Sequence, residues 1–168
     1  MDLRYFLVCC LAIAAIVLIL NPFAHLREAT PYYVLNVSGY EFVFTTNPKE
    51  AMRFPSEGEE EIKLLFDRAE LVCFDFINQS EEDNAYFAKI GFNLVFKLTR
   101  YYSLLGVRKG FKVCKEEPKI LMLGPNSGAS RNGIRLENAT VVVEATSYKA
   151  LELAGDKLAL IVMGVKEV

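Results

Sequence analysis

Histidine and tryptophan are nearly missing from this chain, which has one His and no Trp among 168 residues. The single histidine, His25, lies beside an apolar N-terminal stretch. Most histidine-dependent catalysis and any histidine-rich metal site are therefore excluded from the rest of the chain. Neither charge sign is in excess: 19 Lys and Arg face 21 Asp and Glu, a net charge of −2. Such a balance argues against general nucleic-acid binding, which needs a concentrated basic surface. Cysteine is scarce too. Of the four, Cys9 and Cys10 fall in the apolar stretch, which leaves Cys73 and Cys114 well apart. Two separated thiols without histidine complete neither a zinc nor an iron–sulfur site, so no metal is expected. No dinucleotide or phosphate-loop glycine pattern is present, so no cofactor is expected either.

What the chain does have is a greasy end. Apolar residues make up 52% and charged residues 24%, with a mean hydropathy of +0.22. The excess sits in Tyr5 to Leu20, which is apolar without interruption. Sixteen residues lie between a signal-peptide core and the about 20 needed to span a bilayer. Leu3 extends the run at one end and Pro22 to Ala24 carry it into the interface at the other, with Arg4 reaching back to the headgroups. No small-x-small cleavage site follows the core. The expectation is an uncleaved signal anchor over 1–24 that contacts membrane lipid through residues 3–24; a cleaved signal and a buried core helix are the alternatives. Residues 25–31 read as a juxtamembrane linker and 32–168 as one domain of ordinary size.

Orientation follows from two clues. The α-amine and Arg4 favour a cytoplasmic N-terminus, although Arg27 flanks the other side. The glycosylation acceptor pattern occurs at Asn36, Asn78 and Asn138, where nine Asn and 13 Ser or Thr give about 0.7 matches by chance. Clustering of Asn and Ser at turns is the plainer explanation of that excess. Together the clues favour a single-pass protein with its C-terminal domain outside. In an oxidising compartment Cys73 and Cys114 would bridge if their strands are neighbours; otherwise they pack as small buried thiols.

Within the domain, β-rich Tyr32–Val37 and Glu41–Thr45 flank Ser38-Gly39 and predict a hairpin. Asn47-Pro48 predicts a brief helix. Ser56 to Ala69 opens acidic and spaces Ile62, Leu65, Phe66 and Ala69 as a helix does. Its acids suit the helix dipole without any metal or partner role. The apolar run Leu71 to Ile77 predicts a strand covered on both faces. Ser80, three residues before Asp83, caps a long helix whose periodicity runs over 84–105. Phe87, Ile90, Leu94, Leu98, Tyr101 and Leu105 share one face, and Lys89, Asn93, Lys97 and Arg100 another. Tyr86, Phe92, Val95, Phe96 and Tyr102 widen the apolar surface, so the helix is either central to the domain or a surface for a protein partner or a second copy. Strands follow at 111–115 and 119–123, then strand material at 135–136 and 140–144 that reads as one bulged strand. Residues 147–163 read as one helix running through Gly155, against the alternative of a helix to Ala154, a turn and a strand. Strand, helix, strand over 71–115 is a βαβ unit. The fold class is α/β: a transmembrane helix, then one mixed-sheet domain with an N-terminal hairpin.

Candidate chemistry gathers at the carboxyl ends of the parallel strands. Asp75 interrupts an apolar strand, which requires a structural ion pair, an edge position or a catalytic role. The loop Gly124 to Gly133 is dense in turn residues. If it binds a ligand, Ser127, Ser130, Arg131 and Asn132 are the contacts; a serine activated by lysine would need no histidine. Six basic side chains between 97 and 115 complement a helix C-terminus or meet an anionic lipid or charged partner. The reading that results is a membrane-anchored extracytoplasmic binding or assembly module. A membrane-anchored hydrolase or transferase and a non-catalytic sensor are its rivals. A deep polar pocket joining Asp75 to Ser127–Arg131 would favour the rivals, and a flat apolar patch along the long helix would favour assembly.

Overall fold

In the computed structural model, which describes residues 32–76 and 80–168, the domain begins with the hairpin β1 (Tyr33–Val37) and β2 (Tyr40–Phe44). Ser38 and Gly39 both take positive φ, 54° and 87°, the twist that suits a two-residue hairpin turn. The expected anchor, the linker 25–31 and Asn78 lie outside the described residues. A short helix α1 (Pro48–Met52) follows, capped by the Asn47 side chain on the Lys49 N–H. Next comes α2 (Glu59–Arg68), acidic in its first turn.

A five-stranded sheet then forms from β3 (Leu71–Phe76), β4 (Gly110–Val113), β5 (Lys119–Leu123), β6 (Gly133–Glu137) and β7 (Thr140–Glu144), in the order β4-β3-β5-β7-β6. All pairings are parallel except β6 with β7. The material at 133–144 is thus not one bulged strand but a hairpin, turned at Asn138 with φ 55°. The long helix α3 (Glu81–Leu104) joins β3 to β4 and completes the βαβ unit. Its Ser80 hydroxyl accepts from the Asp83 N–H, as the spacing predicts.

The path from β4 to β5 is unusually short. Both strands run parallel to β3 on opposite sides of it, yet only residues 114–118 connect them. Stagger makes this possible: β4 ends level with Phe74 while β5 starts level with Cys73. The chain crosses the sheet without having to travel back along it. The connection passes over the face that carries Cys73, where Cys114 is disulfide-bonded to it with the Cα atoms 5.1 Å apart. Cys73 N–H also donates to the Pro118 carbonyl.

The two faces of the sheet differ. The core takes Val72, Phe74, Ile120, Met122, Ile134, Val141 and Val143, all from one face, and packs them under the helices. The other face carries Cys73, Asp75, Lys119, Leu121, Arg135, Val142 and Glu144, and the connection 114–118 covers its Cys73. The strand expected to be covered on both faces is so covered over Val72–Phe74, by helices on one face and by the crossing connection on the other.

The final helix α4 (Tyr148–Met163) is continuous through Gly155, and every residue from Ala154 to Met163 is buried. A helix buried on all sides belongs at the centre of a domain, and α4 packs against α1, α2, α3 and the sheet. Gly155 allows this. A Cβ there would stand 2.5 Å from Ile90 Cγ2 on α3, so the glycine marks close helix packing and not a break. Each fully buried Leu or Ile on this helix contributes about 1.5–3 kcal/mol. The centre is therefore α4, not the long helix α3.

Candidate functional site

The polar candidates come first, and the fold uses nearly all of them internally. Asp75 pairs with Lys119 at 3.0 Å on the helix-free face of the sheet, both side chains mostly buried. The Ser127 hydroxyl accepts from the Gly124 N–H at 2.6 Å and closes its own loop. Glu144, buried at the end of β7, gathers the neighbouring residues: one carboxylate oxygen accepts from the Ser130 N–H and hydroxyl and from the Arg131 N–H. Its other oxygen accepts from Arg135 at 2.7 Å. Burial alone would raise the Glu144 pKa, but these donors together hold it down at about 2. Asn132 accepts from the Thr146 N–H and hydroxyl.

Asp83 was not among the sequence candidates, yet it organises this end of the sheet. Fully buried in the first turn of α3, it accepts from the Asn126 N–H at 3.1 Å and from the Tyr148 hydroxyl at 2.8 Å. The Tyr148 phenol is pushed up to about 12, by desolvation first and then by the Asp83 carboxylate it donates to. Gly124 suits this close approach, because a Cβ there would stand 3.1 Å from that carboxylate and press it back by a few tenths of an ångström. The position of Asp83 within the first turn of a capped helix reads equally as dipole compensation. Lys97, Asp156 and Lys157 were missed for a similar reason. Lys97 meets Asp156 at 3.0 Å inside the domain, and Asp156 also accepts from the backbone and hydroxyls of Thr45 and Thr46. Lys157 reaches Glu59 and the Met52 carbonyl. These pairs fasten the hairpin, α1 and α2 to α4.

Among the described residues, Asp75 and the Gly124 loop line different pockets. The cleft lined by Asp75 also contains Phe74, Phe76, Asn84 and Val113, whereas Arg131 and Asn132 line a separate notch with Pro55 and Arg135. The basic set at 97–115 disperses as well. Lys97 is buried, Arg100 lies over the Phe42 ring, Lys109 donates to the Asp67 and Ala69 carbonyls, and Lys112 pairs with Glu116. Glu116 also approaches the sulfurs of Cys73 and Cys114, but sulfurs joined to each other offer no thiolate to an ion. Asn36 and Asn138 are exposed at the two hairpin turns.

The outstanding surface is apolar. On α3, Phe92 and Phe96 are 73% and 62% exposed, and Val113 on β4 is 74% exposed. A groove of about 280 Å³ runs between Phe92 and Val113, leaving Phe96 outside, and is lined by those two with Phe74, Phe76, Ala88, Gly91, Val95, Phe111 and Lys112. Its aromatic floor is organised, Phe74 touching both Phe76 and Phe111 and Phe76 stacking on Phe87. At Gly91 α3 passes close over that floor, with room for no more than a methyl group before the Phe74 and Phe76 rings. Large exposed aromatics beside a concave apolar floor mark a contact surface. No helix among the described residues, α3 included, is long and apolar enough to cross a membrane.

Compared with known proteins, the chain matches no family model, and neither a curated protein nor a solved structure shows significant similarity to it.

Proposed function

We propose that this protein is a membrane-anchored binding or assembly module, held by residues 3–24 with its α/β domain outside the cytosol, and that its contact surface is the groove between α3 and β4. One observation carries the reading: Phe92 and Phe96 stand in solvent on successive turns of α3, next to an apolar trough. The hydroxyls and carboxylates that a hydrolase or sensor would need are instead spent on loop closure and ion pairs. Asn36 and Asn138 are accessible for glycosylation on such a domain.

Protease added to intact cells or spheroplasts tests the placement. Digestion of residues 32–168 without breaching the membrane is expected, and digestion only after breaching it reverses the orientation. A photo-crosslinker placed along the 84–105 helix tests the contact surface. Discrete adducts at Phe92 or Phe96 are expected, and a helix that links to neither a partner nor a second copy contradicts the reading.

A further inference from the structure

The groove has a second property, set by the register of β4. Gly110 N–H donates to the Glu70 carbonyl and Cys114 N–H to the Phe74 carbonyl. Alternation along a parallel ladder then turns Gly110, Lys112 and Cys114 toward β3. The N–H and C=O groups of Phe111 and Val113 point the other way, to an edge without a neighbouring strand among the described residues. Side chains alternate in the same rhythm. Phe111 and Val113 share the face of Val72 and Phe74 and line the groove, while Lys112 shares the face of Cys73 by register, borders the groove and is paired with Glu116 at 3.1 Å. Unpaired backbone groups, an apolar wall and a lysine on the reverse face thus occupy one short strand.

We propose that an extended polypeptide segment joins this sheet as a sixth strand along β4, with apolar side chains at alternate positions in the α3 groove and acidic ones between them, opposite Lys112. This deepens the binding-module reading and rests on its choice of surface, not on where the domain resides. Main-chain hydrogen bonds to a free edge supply affinity and pockets for alternate side chains supply selectivity. Lipid is the poorer occupant, because hydrocarbon offers no partner to the Phe111 and Val113 backbone. A second copy pairing antiparallel about Lys112 would set two lysines directly opposite each other, which is destabilising, whereas pairing about Phe111 would set Lys112 against Gly110 and is distinguished by its dependence on protein concentration.

The absence of tryptophan makes the test direct. Full-length protein carrying Phe92→Trp, in detergent micelles, has one indole at the mouth of the groove. It is titrated with a blocked synthetic peptide alternating valine and glutamate, and with a twin alternating valine and lysine. The valine–glutamate peptide is expected to shift the emission to the blue and saturate, and the lysine twin to bind about tenfold more weakly. Adding Val113→Pro removes an outward donor while leaving the bonds to β3 in place, and is expected to weaken binding about tenfold. A valine–glutamate peptide N-methylated on the amides that face β4 should lose the same factor without any change to the protein. No saturable shift, equal binding of the two charge forms, or indifference to both Val113→Pro and N-methylation overturns the proposal. So does a shift that follows protein concentration without peptide, which assigns the groove to a second copy. A domain found in the cytosol would sink the anchoring and leave the peptide result standing. An outside domain that binds no peptide would sink this proposal alone.

Discussion

The two edges of the sheet are finished in opposite ways. At β6, Ser56 bridges to Ile134, the Ile134 N–H donates to the Pro55 carbonyl, and the Glu57 N–H donates to the Ile134 carbonyl. Arg135 adds ion pairs to Glu137 on the same strand and to Glu144 on β7. At β4 no described segment covers Phe111 or Val113, and Val113 is 74% exposed. Natural sheets commonly protect an exposed edge with shortness, charge, proline, a bulge or a covering segment, and β4 has only its four-residue length and Lys112. Here one edge is covered by the chain's own approach to α2, and the other is left open beside exposed phenylalanines. Exposure at β4 is thus local, and that locality supports reading it as a place for something to dock.

The largest effect should come from breaking the staple that holds the open edge. The disulfide closes a sequence separation of 41 residues, and removing such a bridge costs about 2–4 kcal/mol. Cys73→Ala with Cys114→Ala, or reduction of the wild type, should lower the urea midpoint accordingly. Amide exchange of β4 should rise more than that of β6. Uniform loosening of both edges would show that the bridge stabilises the domain at large.

Acid should act on the opposite edge. Glu144 has its folded pKa depressed from 4.5 to about 2, so its contribution is complete above the unfolded value and fades as pH falls from about 4.5 toward 2. Amides of residues 130–137 should lose protection over that window while those of β3 and β4 keep theirs. Glu144→Gln should flatten the change.

Smaller still is the contrast between two prolines. Glu57→Pro deletes the donor to Ile134 and should cost about 1 kcal/mol. Val113→Pro deletes a donor that bonds no described residue and should stay within about 0.5 kcal/mol. Equal costs in chemical denaturation would mean that the β4 edge is already occupied in the free protein.

Much of this architecture is legible in sequence because it rests on local rules. Ser38-Gly39 marks the hairpin, Ser80 the start of α3, and the apolar spacing both long helices. Strand order is another matter. Nothing local states that β4 is an edge and β3 is not, so the open edge could not be read from residues 110–113. The apolar run from Leu71 predicts cover on both faces, but not that a crossing loop and a disulfide, instead of a helix, would cover Cys73. Lys97 looks like a surface residue by periodicity, and only its pairing with Asp156, 59 positions away, makes it a core group. The wide apolar surface of α3 was visible, but whether it faced inward depended on α4 taking the centre through Gly155.

Amide exchange at Ile134 and Val113, followed residue by residue by NMR on the free full-length protein, tests the central claim most directly. Both N–H groups point away from their neighbouring strands. Strong protection at Ile134 with fast exchange at Val113 is the predicted result, and matching protection at the two positions would contradict an edge open for a partner.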